Sequence, residues 1–194
     1  RYNWVDSTRQ VICSLDLSSD FHALSKDFVN NFADLGYCSF VSLWEKKSAE
    51  FPPDEGWQVL DYRCHSPSAK IDYQQLVNRS SLRTGDWVLY HDLQKEGPIM
   101  LLALTHDIML MMGLKLEQTQ VGFKKKKAFV NCLLFFGKIL ANKKALMDTE
   151  KELKKLEHLE NKYQQLKNET QEKEKLFLLV SENTKDLLIL HQPN

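Results

Sequence analysis

Residues 81–93, SLRTGDWVLYHDL, contain the local change of conformation from which the fold can be worked out. The stretch starts as a basic helix end, passes through Thr84-Gly85, and continues as alternating aromatic and aliphatic residues. A glycine in such a dipeptide permits a tight turn, and the alternation is typical of a half-buried strand. The stretch has no evident nucleophile, base or metal cluster. It therefore predicts a helix–turn–strand corner rather than a catalytic centre.

The composition of the whole chain limits the class of protein. The 194 residues carry no net charge, whereas proteins that bind nucleic acid usually carry a basic excess, so we expect no nucleic-acid partner. No apolar run approaches ~18 residues, so we expect no membrane span. The four cysteines are widely spaced without a metal-binding pattern, which predicts a reducing, cytoplasmic compartment. We expect the chain to be a piece of a longer protein.

Upstream of the corner, the sequence predicts a helix that ends at Gly36. Ser18 or Ser19 can cap its first amides, and glycine is favoured just past a helix end. Its apolar residues recur at helical spacing and form one stripe, consisting of Phe21, Leu24, Phe28, Phe32 and Leu35.

A β-sheet is predicted downstream of this helix. Five segments have strand-like patterns, namely 38–47, 57–65, 86–93, 99–106 and 108–117, and a second helix is predicted over 73–82. Only Asp107 separates the last two strands, which predicts a tight hairpin or a bent pair. The prediction is an α+β fold with a mainly antiparallel sheet of five to six strands flanked by helices.

A long helix is predicted from Phe123 to about Ser181, because this segment has no proline and a single glycine, Gly137. Its early part is apolar enough to cover a sheet. Its later part has a narrow apolar seam with charged flanks, consisting of Leu146, Leu153, Leu156, Leu159, Tyr163 and Leu166. Such a seam is typical of a coiled coil, so we predict a parallel homodimer. The spacing 153-156-159 departs from a regular heptad and resembles a stammer. After the helix, a short strand is predicted at 186–190.

Several motifs together resemble the GAF family of sensory domains. The match is carried by Thr84, Gly85, Val88, Asp92 and Leu93 in the corner, by Gly113 in the last strand, and by the closing helix from Phe123. The predicted order of helix, two strands, helix, three strands and helix agrees with that family. In addition, Glu182, Asn183 and Asp186 with the following apolar run resemble the opening of a PAS domain.

The resemblance implies a division of the chain into four parts. These are a helical lead-in at 1–15, a GAF sensory core at 16–122, a closing helix continuing into a dimeric coiled coil at 123–181, and the start of a PAS domain at 182–194. This arrangement is typical of bacterial signalling proteins. The implied output domain is a GGDEF diguanylate cyclase or a histidine kinase, with the cyclase favoured.

The resemblance also implies a ligand cavity beside the sheet, and a cyclic nucleotide, with cAMP favoured, is the predicted small-molecule ligand. Phe40, Ser42 and Trp44 alternate onto one face of the central strand and could form a purine slot. The predicted hydrogen-bond donors are Asn78, Arg79, Ser81, Arg83 and Thr84. The competing interpretation is that Phe40 and Trp44 are core residues and that the arginines are solvated.

Other ligands and activities are less well supported by the sequence. The pair Cys64-His65 is similar to the Cys-His pair of bilin-binding GAF relatives, but it ends a strand here instead of lying on a helix. His65, His91 and His106 lack metal-ligand spacing. No hydrolase, metalloprotease or phosphate-loop motif is present, so we expect no cofactor and no enzymatic activity in this part of the protein. The alternative function is a ligand-free dimerisation and spacer module of a sensor histidine kinase.

Overall fold

The computed structural model describes residues 3–46, 56–64, 73–90, 97–115 and 123–190, with backbone only at 123–125 and 184–190. In chain order the elements are α1 (Trp4–Ser14), α2 (Phe21–Ala33), β1 (Cys38–Lys46), β2 (Trp57–Cys64), α3 (Tyr73–Arg79), β3 (Trp87–Tyr90), β4 (Ile99–Ala103), β5 (Ile108–Leu114) and α4 (Phe123–Leu190). By contact density the chain divides into two compact units, residues 1–147 and 148–194.

The described strands of the first unit form one antiparallel sheet in the order β2-β1-β5-β4-β3. The predicted α+β class and the predicted order of helices and strands are confirmed. The hairpin between β4 and β5 is also confirmed, but its turn covers 104–107 instead of Asp107 alone. The backbone amides of Leu104 and Thr105 both donate to the carbonyl of Ile108, and these hydrogen bonds close the turn. The regular strand pairing of β4 therefore ends at Ala103.

The N-cap of helix α2 lies one residue beyond Ser19, the nearer of the two serines that were predicted to cap it. The Asp20 carboxylate accepts a hydrogen bond from the Ala23 amide at 2.8 Å, so Asp20 is the N-cap. Ser18 and Ser19 instead donate their hydroxyls to Asp16 in the preceding turn. The helix ends at Ala33 with Asp34 as its C-cap, earlier than the predicted end just before Gly36, but Gly36 has the expected positive φ, 75°.

The two faces of the sheet pack against different helices. On one face, α1, α2 and the early part of α4 enclose the larger core, in which the Phe28 and Phe136 rings stack at 3.9 Å. The predicted apolar stripe of α2 is buried there, with Leu35 at its margin. On the other face, α3 contributes Val77 to a smaller core. The short α3 is therefore the described helix that covers this second face.

Helix α4 does not end near Ser181 as predicted but continues to Leu190, so the predicted strand at 186–190 is wrong. No proline or glycine occurs between Gly137 and Pro193, and leucines are good helix formers, so nothing local stops the helix earlier. The assignment of 182–194 to a PAS domain stays a prediction. Among the described residues, no helix combines the length and hydropathy needed to cross a membrane.

Candidate functional site

The corner at Thr84-Gly85 is a hydrogen-bonded turn that attaches β3 to the sheet. The Asp86 amide donates to the Arg83 carbonyl at 2.8 Å, and the Asp86 carboxylate accepts from the Arg83 amide at 3.1 Å. Gly85 has a φ of 90°, as the third residue of a type II turn requires. Its amide donates to the Ala103 carbonyl at 2.8 Å. The corner therefore fixes the start of β3 against β4.

The predicted ligand residues of β1 lie together on the face covered by α3. Phe40, Ser42 and Trp44 are only 3%, 1% and 4% exposed. The Trp44 Nε1–H donates to Ser42 Oγ at 2.9 Å, so two polar groups of this face satisfy each other. Phe40 and Trp44 belong to the smaller core together with Val77. The face is closed in this structure.

The five predicted donors form a separate, exposed group. Asn78 and Arg79 lie in the last turn of α3, which ends before the predicted Leu82. Ser81, Arg83 and Thr84 follow in the segment that leads to β3, and all five residues are exposed, namely Asn78, Arg79, Ser81, Arg83 and Thr84. The Asn78 side chain accepts a hydrogen bond from the Trp57 amide at 3.4 Å. The structure therefore places the donors on the exposed surface at and after the end of α3, and the apolar residues beneath the helix.

Two tyrosines beside Phe40 were missed by the sequence analysis. The Tyr73 ring lies 4.8 Å from the Phe40 ring, and the Tyr62 ring lies 6.3 Å from it. Tyr62 is 47% exposed. Partial burial raises the pKa of the Tyr62 phenol, and a hydrogen bond with Cys64 raises this pKa further. The hydroxyl therefore stays protonated and can donate. The alternation in β2 could have indicated Tyr62, because this residue pairs with Ser42 across the strands.

The alternative ligand sites receive little support from the described residues. His65 and His91 lie outside them. The His106 side chain is highly exposed, and its Nδ1 lies 3.7 Å from an Asp107 carboxylate oxygen. The part of the chain that the structure describes has no group of three or more side chains arranged to hold a metal.

Comparisons with known proteins were made for sequence and for structure. No family model matches the chain, and no curated protein matches it. Among solved structures, the chain is similar to the GAF domain of a protein assigned as a sensor histidine kinase from Pseudomonas syringae pv. tomato. The identity is 12%, the TM-score is 0.49, and the alignment covers 75% of this chain and 89% of the other. It is also similar to the GAF domain of an Acinetobacter phosphoenolpyruvate-protein phosphotransferase, with 12% identity, a TM-score of 0.49, and coverage of 73% and 94%.

Proposed function

We propose that this chain is a GAF-type sensory domain that binds a small molecule beneath α3 and regulates a downstream domain through α4. One observation carries the proposal, namely the different covering of the two sheet faces. Among the described residues, a helix of seven residues covers Phe40 and Trp44, whereas three helices cover the opposite face. A short covering helix with few contacts costs little to displace, and low local stability is typical of segments that open around ligands.

The chemistry of the α3 face suits a purine cyclic nucleotide, with cAMP favoured. Phe40 and Tyr73 offer aromatic surfaces on which a purine can stack. Ser42 and Tyr62 offer hydroxyl groups to the edge of a base, and Arg79 and Arg83 offer cationic donors to a phosphate. Because Phe40 and Trp44 are buried, α3 has to move before a ligand can reach them. Ligand binding would then shift the population toward an open state of this face.

The output of this domain requires the two copies of a homodimer to lie side by side. The predicted seam residues of α4 are all more than half exposed, namely Leu146, Leu153, Leu156, Leu159, Tyr163 and Leu166. A helix with such a seam is stabilised in water when a second helix covers it. A parallel pair would deliver both chains to the same output domain, for which a PAS domain followed by a diguanylate cyclase, or a histidine kinase, remains our proposal.

A second candidate function is a ligand-free dimerisation and spacer module of a sensor histidine kinase. The packing of β1 favours it, because Trp44 and Ser42 already satisfy each other and the Phe40 ring already packs against Tyr73. In that case the α3 face would be an ordinary core, and the seam of α4 would account for the function through dimerisation alone.

A thermal-shift experiment separates the two candidates. A ligand at one hundred times its Kd stabilises the folded state by about 2.7 kcal/mol, which corresponds to about 5–10 °C in Tm for a domain of this size. We expect cAMP to give such a shift, and Arg79→Gln with Arg83→Gln to reduce it. The matched control is Arg9→Gln, an exposed arginine on α1, which should keep the full shift. No response to cAMP, cGMP and related nucleotides, with no retained nucleotide seen by mass spectrometry, would favour the spacer module.

A further inference from the structure

The hairpin between β4 and β5 contacts α4 at Gly137. A β-carbon added at this glycine would lie 2.8 Å from the Leu104 Cβ and 3.1 Å from the Leu104 carbonyl oxygen. The first distance is shorter than real β-carbons show, and the second is tighter than most of their contacts. The hairpin backbone therefore lies directly against the helix at this position.

The same hairpin contacts α4 again at Lys144. The Lys144 Nζ lies 3.1 Å from an Asp107 carboxylate oxygen and 3.4 Å from a Glu45 carboxylate oxygen. The three side chains are between 13% and 22% exposed. Gly137 and Lys144 are seven residues apart, which returns to nearly the same side of a helix. Two contacts on one side fix both the rotation and the axial position of α4 at this level.

Each of the two carboxylates that contact the Lys144 ammonium also accepts a hydrogen bond from another side chain. Burial alone would raise the pKa of Asp107, but the Thr105 hydroxyl, at 2.7 Å, and Lys144 together lower it. The Asp107 carbonyl accepts from the Lys46 amide at 2.9 Å, and Glu45 accepts from the Gln58 side chain at 2.5 Å. The clamp, defined here as Glu45, Leu104, Asp107, Gly137 and Lys144, thus joins the end of β1, the hairpin and α4.

Glu45 is the direct neighbour of Trp44 in β1, and successive side chains of a strand point to opposite faces of the sheet. Trp44 lies in the core beneath α3, whereas Glu45 holds Lys144 on the opposite side. We propose that the clamp is a conformational device that transmits a displacement of Trp44 to α4. The displacement would pass through Glu45, the next residue of β1, to Lys144. This inference rests on the proposed sensory function for its use, but the clamp itself can be tested without any ligand.

The first test measures hydrogen exchange by mass spectrometry on the whole chain without ligand. Lys144→Met should leave Glu45 and Asp107 without their shared cation, so exchange in 104–108 and 138–147 should rise at least fivefold. The matched control is Lys138→Met, which removes an exposed positive charge from the same helix. Asp107→Asn is the second variant and should act like Lys144→Met. Equal exchange in Lys144→Met, Asp107→Asn and Lys138→Met would overturn the proposal.

The second test asks whether Trp44 and α4 are coupled through the clamp. Trp44→Phe removes the indole donor to Ser42 and should change exchange in 138–147 at least twofold. In the double variant with Lys144→Met this additional change should vanish, because the connection is already broken. The coupling would be refuted if Trp44→Phe left exchange in 138–147 unchanged. It would also be refuted if the effects of Trp44→Phe and Lys144→Met on exchange were additive in the double variant. A failure to bind cAMP would refute the nucleotide proposal and leave both of these results unaffected.

Discussion

The Phe40 ring occupies the space that a side chain at Gly113 would need. A β-carbon built on Gly113 would lie 2.5 Å from the Phe40 Cε1 and even closer to the Ser39 hydroxyl. The two residues are paired on neighbouring strands, β1 and β5. The glycine that contributes to the GAF resemblance therefore serves close packing on the α3 face, where it leaves room for the Phe40 ring.

We expect Gly113→Ala to lower the free energy of unfolding by about 1–3 kcal/mol, because overpacking forces neighbouring side chains out of place. Urea denaturation followed by fluorescence would measure this. Phe40→Leu removes the crowded ring carbons, so the double variant should lose less stability than the sum of the two single variants. Strict additivity would show that Gly113 is needed for some reason other than the Phe40 ring.

The pKa of Asp107 predicts a pH dependence of stability. Because this pKa is lowered from its ordinary 3.8 in the folded state, the carboxylate stabilises the fold above that value. The contribution is lost as the pH falls through the lowered folded pKa. The difference in unfolding free energy between the natural chain and Asp107→Asn should thus be largest near neutral pH and shrink below about pH 4. A difference that stays constant from pH 7 to pH 3 would contradict this.

The seam of α4 predicts how the chain associates. Charged residues at the centre of a helix pair are costly. Leu153→Lys with Leu156→Lys should therefore give a monomer of 22.7 kDa by sedimentation at ~20 µM, a concentration at which we expect the natural chain to be a dimer. Lys154→Ala with Glu157→Ala, outside the seam, is the matched control and should stay dimeric. A natural chain that sediments as a monomer under these conditions would count against the homodimer.

The direction of the helix pair can be tested separately. With the native cysteines replaced by serine, Tyr163→Cys should form a disulfide with its own counterpart on oxidation, because equivalent seam positions face each other in a parallel pair. The comparison is Lys162→Cys, one residue off the seam, which should link far more slowly. Equal rates for the two positions would mean that Tyr163 does not face its counterpart.

The cysteines should react at very different rates. Cys13 is exposed, whereas Cys38 is buried, and burial raises the pKa of the Cys38 thiol well above its usual range. Since the thiolate is the reactive form, a disulfide reagent at pH 8 should label Cys13 at least a hundredfold faster than Cys38. Cys64 and Cys132 are half-buried and should fall between them. Rapid labelling of Cys38 in the folded protein would show that β1 opens readily.

The sequence by itself determined the local elements of this protein. The apolar stripe of α2 identified its buried face, Gly36 and Gly85 identified a helix end and a turn, and the missing helix breakers identified α4. Each of these depends on residues within a few positions of one another. Local propensity and hydrophobic periodicity are sufficient for such elements.

Where local signals compete, the sequence was ambiguous. Four residues before α2 are able to cap a helix, namely Asp16, Ser18, Ser19 and Asp20. The hydroxyls of the two serines donate to Asp16, so Asp20 is the residue that caps α2. Strict alternation would place Cys38 and Phe40 on the same face of β1. An irregular register between them puts Cys38 in the larger core and Phe40 beneath α3.

Only the tertiary structure decided which distant side chains meet. It placed Tyr62 and Tyr73 around Phe40, and it brought Lys144 from α4 to Glu45 in β1 and Asp107 in the hairpin. It also showed that the predicted slot of Phe40, Ser42 and Trp44 is packed, whereas the predicted donors are exposed. These contacts arise when the sheet closes over its helices. The residues in each contact are far apart along the chain, so no local pattern in the sequence predicts that they meet.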